Sequence, residues 1–313
     1  MTSFRLKLIA LILMVIDHLG YFWYDFFPIW FRWLGRASAP IFFFCMVHSF
    51  DKTSSQRRFL LRLYLFGLGM AAVSTLLMCL GYVCIGDGVA SLDVRSFCIF
   101  NTLFVIAFII RILNIKNVRK KMVLLVCFLL WQVVWSIFLT YAAAYPIPGL
   151  ERTQSGILAL FVPLLACATG NVLWAEGSIV YVLFDVLLYR AKESRRKLIL
   201  VFAGFSLFYF ICSLTDWSMY AEAAVANTVR LLTGSELWME LTYNALYTAQ
   251  LIFTGQGIES LFFQDFNWMM LGAHPLVLAY NGQRGRPVKY GFYWFYPLHI
   301  YLLWLLRLLT KYG

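Results

Sequence analysis

At 313 residues, with 62% hydrophobic and 13% charged side chains and a mean hydropathy of +0.76, the chain has too little charge to coat a water-soluble globule of its size. Its formal net charge of +11 does not point to nucleic acid, because the Lys and Arg residues fall in short blocks between apolar runs, a pattern that sets membrane topology. These features predict one integral membrane domain over 1–313, all-α and polytopic, with no room left for a separate aqueous domain.

The first apolar run, Leu6 to Tyr24, is long enough to span a bilayer and contains Asp17 and His18. It lacks a small-residue cleavage signature and is expected to remain as a transmembrane helix. Consecutive helical residues point about 100° apart, so Asp17 and His18 must each find a partner on another helix. Phe22 to Trp33, rich in aromatics and carrying Asp25 and Pro28, reads as a membrane-boundary belt.

A second span is predicted over Leu34 to Phe50, with Arg36 and Pro40 in its first turns, ending in the basic DKTSSQRR. A third runs from Phe59 to Gly81, with Arg62 placed to snorkel to the interface. The acidic loop with Asp87 and Asp93 follows, then FCIFNTLFVIAFII from Phe97 and the basic RILNIKNVRKK. The alternation of acidic and basic loops predicts an inside N-terminus.

A fifth span is expected from Met122 to about Tyr141. Gly156 to Thr169 and Ile179 to Tyr189 are both short, separated by Gly170, Asn171, Glu176 and Gly177, and the count of crossings requires that one of them be re-entrant or broken. Such a break is tolerated where protein or water lines it. Leu198 to Leu214 is the next span, Asp216 to Glu236 a mixed amphipathic outer segment, and Trp238 to Leu261 a further span. Trp268 to Tyr280 is too short to cross, NGQRGRPVK is a basic turn, and Gly291 to Leu309 is the last span, with Arg307 and Lys311 opposing an outside C-terminus. At roughly 20 residues per crossing this makes about nine to eleven membrane helices, one or two of them short or re-entrant.

The seven cysteines, Cys45, Cys79, Cys84, Cys98, Cys127, Cys167 and Cys212, show no CxxC or Cys/His spacing and are expected to be free, buried thiols, a Cys84–Cys98 bridge being the alternative if their loop faces an oxidising compartment. There is no Walker loop, no G-x-S-x-G, no H-E-x-x-H and no metal-ligand spacing, which argues against an ATP-driven pump or metalloprotease and predicts no metal.

The informative exceptions are the polar groups inside spans: Asp17, His18, Arg36, Asn101 and His299. At ~1.5 Å per residue, His18 lies roughly 18 Å and His299 roughly 12 Å from the inside start of its span, both near the midplane. A histidine there can take and return a proton, with a carboxylate fixing its tautomer; alternatively these groups hydrogen-bond neighbouring helices and hold the bundle together. Arg36 is either an interfacial anchor, a substrate clamp or the partner of Asp17. His48 and His274 read as structural or interfacial, and Asp185, Glu176 and Glu259 as second-rank candidates near span ends.

LKLIALILMVIDHLG, LGRASAPIFFF followed by RRFLLRLYLFG, FNTLF, and KYGFYWFYPLHIYLL near the end, in that order, resemble the TraX family. That family is named for a conjugation protein implicated in N-terminal acetylation of pilin and is similar to a broader group of multi-span acyltransferases. The resemblance implies a multi-pass enzyme of a bacterial plasma membrane that takes an acyl group from acetyl-CoA or another acyl-CoA and passes it to a protein N-terminus, a glycan or a lipid. By motif position it implies His18 as general base, Asp17 as its orienting or charge-compensating partner, and Arg36, Asn101 or His299 at the developing oxyanion, with an acyl-histidine as a less direct variant. A proton-coupled transporter or lipid flippase, with Asp17 and His18 in a proton relay, is the alternative, and a scaffold whose polar residues serve packing is a third reading.

Overall fold

The computed structural model describes residues 1–85, 98–145, 159–249, 257–288 and 290–312. Every regular element among them is helical: α1 Ser3–Phe22, α2 Trp30–Gly35, α3 Ser38–Asp51, α4 Gln56–Ile85, α5 Ile99–Leu113, α6 Val118–Ala144, α7 Val162–Thr169, α8 Ser178–Ala191, α9 Arg195–Leu214, α10 Trp217–Thr233, α11 Glu236–Thr248, α12 Gly257–Phe263, a 3-10 helix Phe266–Ala273, α13 His274–Leu278 and α14 Gly291–Tyr312. Four stretches, Gln56–Leu80, Val118–Ala144, Arg195–Leu214 and Gly291–Thr310, are long and apolar enough to cross a membrane. On α6 the side chains of Leu129, Leu130, Val133 and Val134 are exposed. In water such area costs about 25 cal/mol per Å², whereas lipid accepts it, and the chain is a membrane protein.

Two segments differ from the sequence reading. The stretch expected as one span from Leu34 to Phe50 is two helices: α2 ends at Gly35, Arg36 is its C-cap, and α3 begins at Ser38 with Pro40 in its first turn, where backbone N–H groups have no intrahelical partner to lose. The span expected from Trp238 to Leu261 is also divided. Its first part, α11, stops at Thr248, and α12 starts at Gly257, whose φ of +82° is a left-handed conformation that glycine adopts without penalty. Residues 250–256 lie outside the described residues.

The chain forms two compact units. The first comprises Met1–Ser54, Phe184–Asp216 and Phe253–Gly313. Here α1 packs on α2, α3 and α14, while the 3-10 helix packs on α2, α3 and α9. Thr2 caps α1 by accepting from the Arg5 N–H. A backbone clamp fixes where α1 and α14 begin. Ser3 and Phe4 N–H donate to the carbonyls of Gln283 and Arg284 at 2.9 and 3.0 Å, the Asn281 N–H donates to Met1 O at 2.9 Å, and Lys52 Nζ reaches Gly282 O at 2.9 Å. From this clamp α1 and α14 run in the same sense, since Phe4 meets Phe292, His18 meets His299 and Asp25 meets Arg307 in matching order. Arg307, which weighed against an outside C-terminus, is thereby paired at 3.5 Å with Asp25.

The second unit comprises Ser55–Leu183 and Trp217–Ile252. Its centre is the break expected between two short helices. Gly170, at φ +62°, ends α7, and the non-helical backbone up to Ser178 is stitched to its neighbours by side chains. Gln132 of α6 donates to Gly170 O at 3.0 Å and accepts from Val172 N–H at 2.8 Å, Asn171 donates to Ser136 at 2.9 Å, Thr102 of α5 donates to Glu176 O at 2.9 Å, and Tyr64 of α4 donates to Ala168 O at 2.9 Å. Irregular backbone survives at membrane depth only with this kind of satisfaction. Leu139, Ala142, Val162 and Ala166 form the apolar core that holds α7 on α6.

The described cysteines are free, and Cys45, Cys98, Cys167 and Cys212 are buried as expected. Cys79 and Cys127 depart from the expectation: Cys79 is half-buried and Cys127 is exposed on α6. The Cys84–Cys98 alternative falls outside what is described.

Candidate functional site

Asp17 sits in the penultimate turn of α1, at 8% exposure, facing α2. Its carboxylate is held by two guanidiniums. Arg32 Nη1 donates to Oδ1 at 2.7 Å and to the Asp17 carbonyl at 3.2 Å, and Arg36 Nη2 donates to Oδ1 and Oδ2 at 2.9 and 2.7 Å. Arg32 and Arg36 are four residues apart, so a single turn of α2 presents both to one point. Arg36 also donates to Asn267 of the 3-10 helix at 3.3 Å. The ring of Phe266 lies 5.9 and 5.4 Å from the two guanidinium carbons, and Tyr21 lies 5.1 Å from that of Arg32, within cation–π range.

The close approach of α1 and α2 that makes this possible depends on glycine. A Cβ on Gly20 would lie 2.8 Å from Phe31 Cβ, and one on Gly35 would overlap Asp17. Two positive groups surround one negative group, so the cluster carries a net positive charge within a region that has little water to screen it.

His18, the next residue, turns to α14. Its Nδ1 lies 2.7 Å from His299 Nε2, with the rings stacked at 4.9 Å and 14°. His299 Nδ1 lies 2.9 Å from the Phe295 carbonyl. A carbonyl only accepts, so this second contact assigns the tautomers along the chain: His299 carries its proton on Nδ1, its Nε2 accepts, and His18 donates from Nδ1 and is basic at Nε2.

Asp17 and His18 thus find partners on different helices, as their angular separation requires. The structure brings Asp17, Arg36, His18 and His299 together in the first unit. Asn101 belongs to the second unit, in the first turn of α5, where it is buried with its Oδ1 unpartnered among the described residues. The carboxylate of Asp17 is engaged by Arg32 and Arg36.

His48 packs against Phe44 and Tyr280, and His274 against Phe202. Of the second-rank carboxylates, Glu259 is exposed, the backbone carbonyl of Glu176 accepts from Thr102, and Asp185 is fully buried with neither oxygen hydrogen-bonded among the described residues.

Arg32 was not among the residues singled out in the sequence. Its signal was the four-residue spacing to Arg36 inside an aromatic belt. It also borders an open cleft of about 370 Å³ lined by Tyr21, Tyr24, Phe27, Gln264 and Phe266, one turn beyond Asp17 on α1.

A family model described as TraX protein matches residues 3–183, which include Asp17, His18, Arg32, Arg36 and Asn101. No curated protein and no solved structure gives a significant match to the chain.

Proposed function

Given that the chain belongs to the TraX family, we propose that it is a membrane-bound acyltransferase that moves an acyl group from a cytoplasmic acyl-CoA, acetyl-CoA in the simplest case, to an amine or hydroxyl of a membrane-associated or extracytoplasmic acceptor. The observation that carries this reading is the buried His18–His299 pair with its assigned tautomers. His18 Nε2 takes the proton from the acceptor as its nitrogen or oxygen attacks the thioester carbonyl. The new acyl bond forms as the carbon–sulfur bond breaks, and the proton passes from His18 to the departing thiolate. While His18 holds that proton, its Nδ1 proton can shift to His299 Nε2, which spreads the charge over two rings and ends at the Phe295 carbonyl.

Negative charge develops on the thioester oxygen during attack, and the excess positive charge of Arg32 and Arg36 over Asp17 favours it electrostatically. Asp17 fixes both guanidiniums in place and offsets part of their charge beside His18. Asn101 is retained as a substrate-contacting candidate of the second unit. The cleft beside Arg32, apolar and aromatic with few polar groups, has the character and the size of a small-molecule site and is the approach assigned to the acceptor.

In this reading the protein is a multi-pass bacterial plasma-membrane bundle of about nine to eleven membrane helices at roughly 20 residues each, the shorter helices included. The test is thioester cleavage: purified protein in nanodiscs with labelled acetyl-CoA and candidate acceptors, free thiol being followed. Release by the wild type that is lost in His18→Ala, with acetyl-CoA binding retained, supports the assignment. No binding and no release from the wild type overturns it and favours the proton-coupled transport reading, which a flux assay then examines.

A further inference from the structure

The second unit contains a cleft that the chemistry above does not use. It lies between α10 and α11 where the C-terminal end of α6 meets them, has a volume of about 380 Å³, and is lined by Tyr145, Asn227, Met239, Glu240, Tyr243 and Asn244 together with Ala223 and Ala226. The two alanines face it from α10 and keep that wall low, while Glu240 and Asn244, four residues apart, present from one face of α11. Helix periodicity therefore gathers a carboxylate and an amide on one side and Asn227 on the other.

Tyr145 donates its hydroxyl proton to Glu240 Oε2 at 2.5 Å. Burial, then the bond to Glu240, pushes the Tyr145 phenol up to about 12, so it stays a donor and holds one carboxylate oxygen in place. Oε1 of Glu240 and the side-chain amides of Asn227 and Asn244 make no hydrogen bond among the described residues. No cationic side chain lines the cleft, and nearby Arg230 is paired with Glu236 at 3.2 Å.

The geometry points to a site for sugar hydroxyls: we propose that this cleft binds a neutral glycan segment. A sugar hydroxyl both donates and accepts, and two amides plus a carboxylate offer both functions over a short distance. The rings of Tyr145 and Tyr243 supply the flat apolar surface that the C–H face of a pyranose covers. The volume lies within the ~300–1,000 Å³ of small-ligand sites, and the absence of a lining cation disfavours a phosphate or a polyanion. This binding is independent of acyl transfer in the first unit.

The experiment is isothermal titration of the full chain in nanodiscs with neutral tetrasaccharides of glucose, galactose and N-acetylglucosamine. Wild type, Asn244→Leu, Glu240→Gln, Asn227→Leu and His18→Ala are compared, each checked for an unchanged melting temperature. Expected is saturable binding of at least one tetrasaccharide, weakened roughly tenfold or more in Glu240→Gln, the loss of a hydrogen bond to a charged group, weakened about two- to tenfold in Asn244→Leu, the loss of a neutral one, and unchanged in His18→Ala. Asn227→Leu, at an exposed position that tolerates substitution, is expected to follow the same direction. A glycosyl diacylglycerol added to the nanodisc lipid competes if a lipid headgroup is the natural source and does not if the source is a soluble polymer, and either result supports a sugar site. No saturable binding by any of the three sugars, binding indifferent to the cleft variants, or binding of an amine-terminated hexapeptide in place of the sugars overturns the proposal.

Discussion

Gly35 and Asp17 occupy the same small volume from two helices: a Cβ built on Gly35 would lie 2.2 Å from Asp17 Cβ and 2.5 Å from Oδ1. No L-residue with a side chain fits there unless the carboxylate moves. Gly35→Ala is therefore expected to abolish thioester cleavage and to lower the melting temperature, because the displaced carboxylate leaves Arg32 and Arg36. Gly69→Ala on α4, where nothing lies within 4 Å, is the control. It is expected to melt at or above wild type, in line with the ~1 kcal/mol preference of a helix interior for Ala over Gly. Equal melting temperatures for Gly35→Ala and wild type would count against the close-approach argument.

Removing the acid and removing one base are not equivalent at this cluster. Asp17→Asn takes from two guanidiniums the carboxylate they share, a loss on the order of 3–5 kcal/mol for a buried pair broken from one side. Arg32→Gln leaves a neutral Asp17–Arg36 pair and is expected to destabilise far less. Denaturation in detergent of the two single variants distinguishes them, and the reverse order would refute the charge assignment.

In the proposed acyl transfer His299 is a positioning residue that acts through His18. His299→Leu removes the acceptor for His18 Nδ1 and is expected to lower kcat by about 10²–10⁴, the range of general acid–base catalysis, with KM little changed. His299→Gln keeps an acceptor oxygen and is expected to recover part of that loss. If Gln and Leu are equally inactive with the fold intact, His299 does more than accept a bond.

Gln132 supports the break after α7 with two hydrogen bonds, to Gly170 O and from Val172 N–H. Gln132→Leu leaves both backbone groups unsatisfied at roughly 1–3 kcal/mol each. Hydrogen exchange at residues 170–178 should rise selectively, and exchange that rises evenly over the whole second unit would mean the bonds are not local.

Glu222 on α10 is buried, its Oε1 has no hydrogen-bond partner among the described residues, and burial raises its carboxyl above the ordinary value. With a raised folded-state pKa the native chain keeps this proton where the unfolded chain has lost it. Its contribution is then fully present below the usual glutamate value and is lost as pH rises through the folded value. Glu222→Gln should melt with wild type near pH 4 and above it at pH 7. Coincident melts at both pH values would show that Glu222 reaches solvent.

What the sequence made legible follows from the cost of polar groups in lipid. Asp17, His18 and His299 stood out because a charge or imidazole at span depth needs a reason, and the structure pairs His18 with His299 and Asp17 with Arg36. Arg32 stayed hidden because arginine in an aromatic belt is ordinary at an interface. Its role depends on α2 being a separate short helix, which the merged reading of Leu34 to Phe50 concealed, since apolar content continues through the joint and only Gly35 and Pro40 mark it. Hydropathy likewise ran Trp238 to Leu261 together. The short pair around Gly170 was readable because two left-handed glycines and Asn171 interrupt the apolar pattern, but the side chains that satisfy the break come from α4, α5 and α6, at separations no local pattern records.

The backbone clamp between residues 1–4 and 279–284 has a consequence for biogenesis. His18 leaves the ribosome early, and the imidazole that fixes its tautomer follows 281 residues later. During that interval α1 is made without α14, one of the helices it packs on. Contacts of such long range are slow to form, and the His18–His299 pair is complete only once α14 has docked on α1.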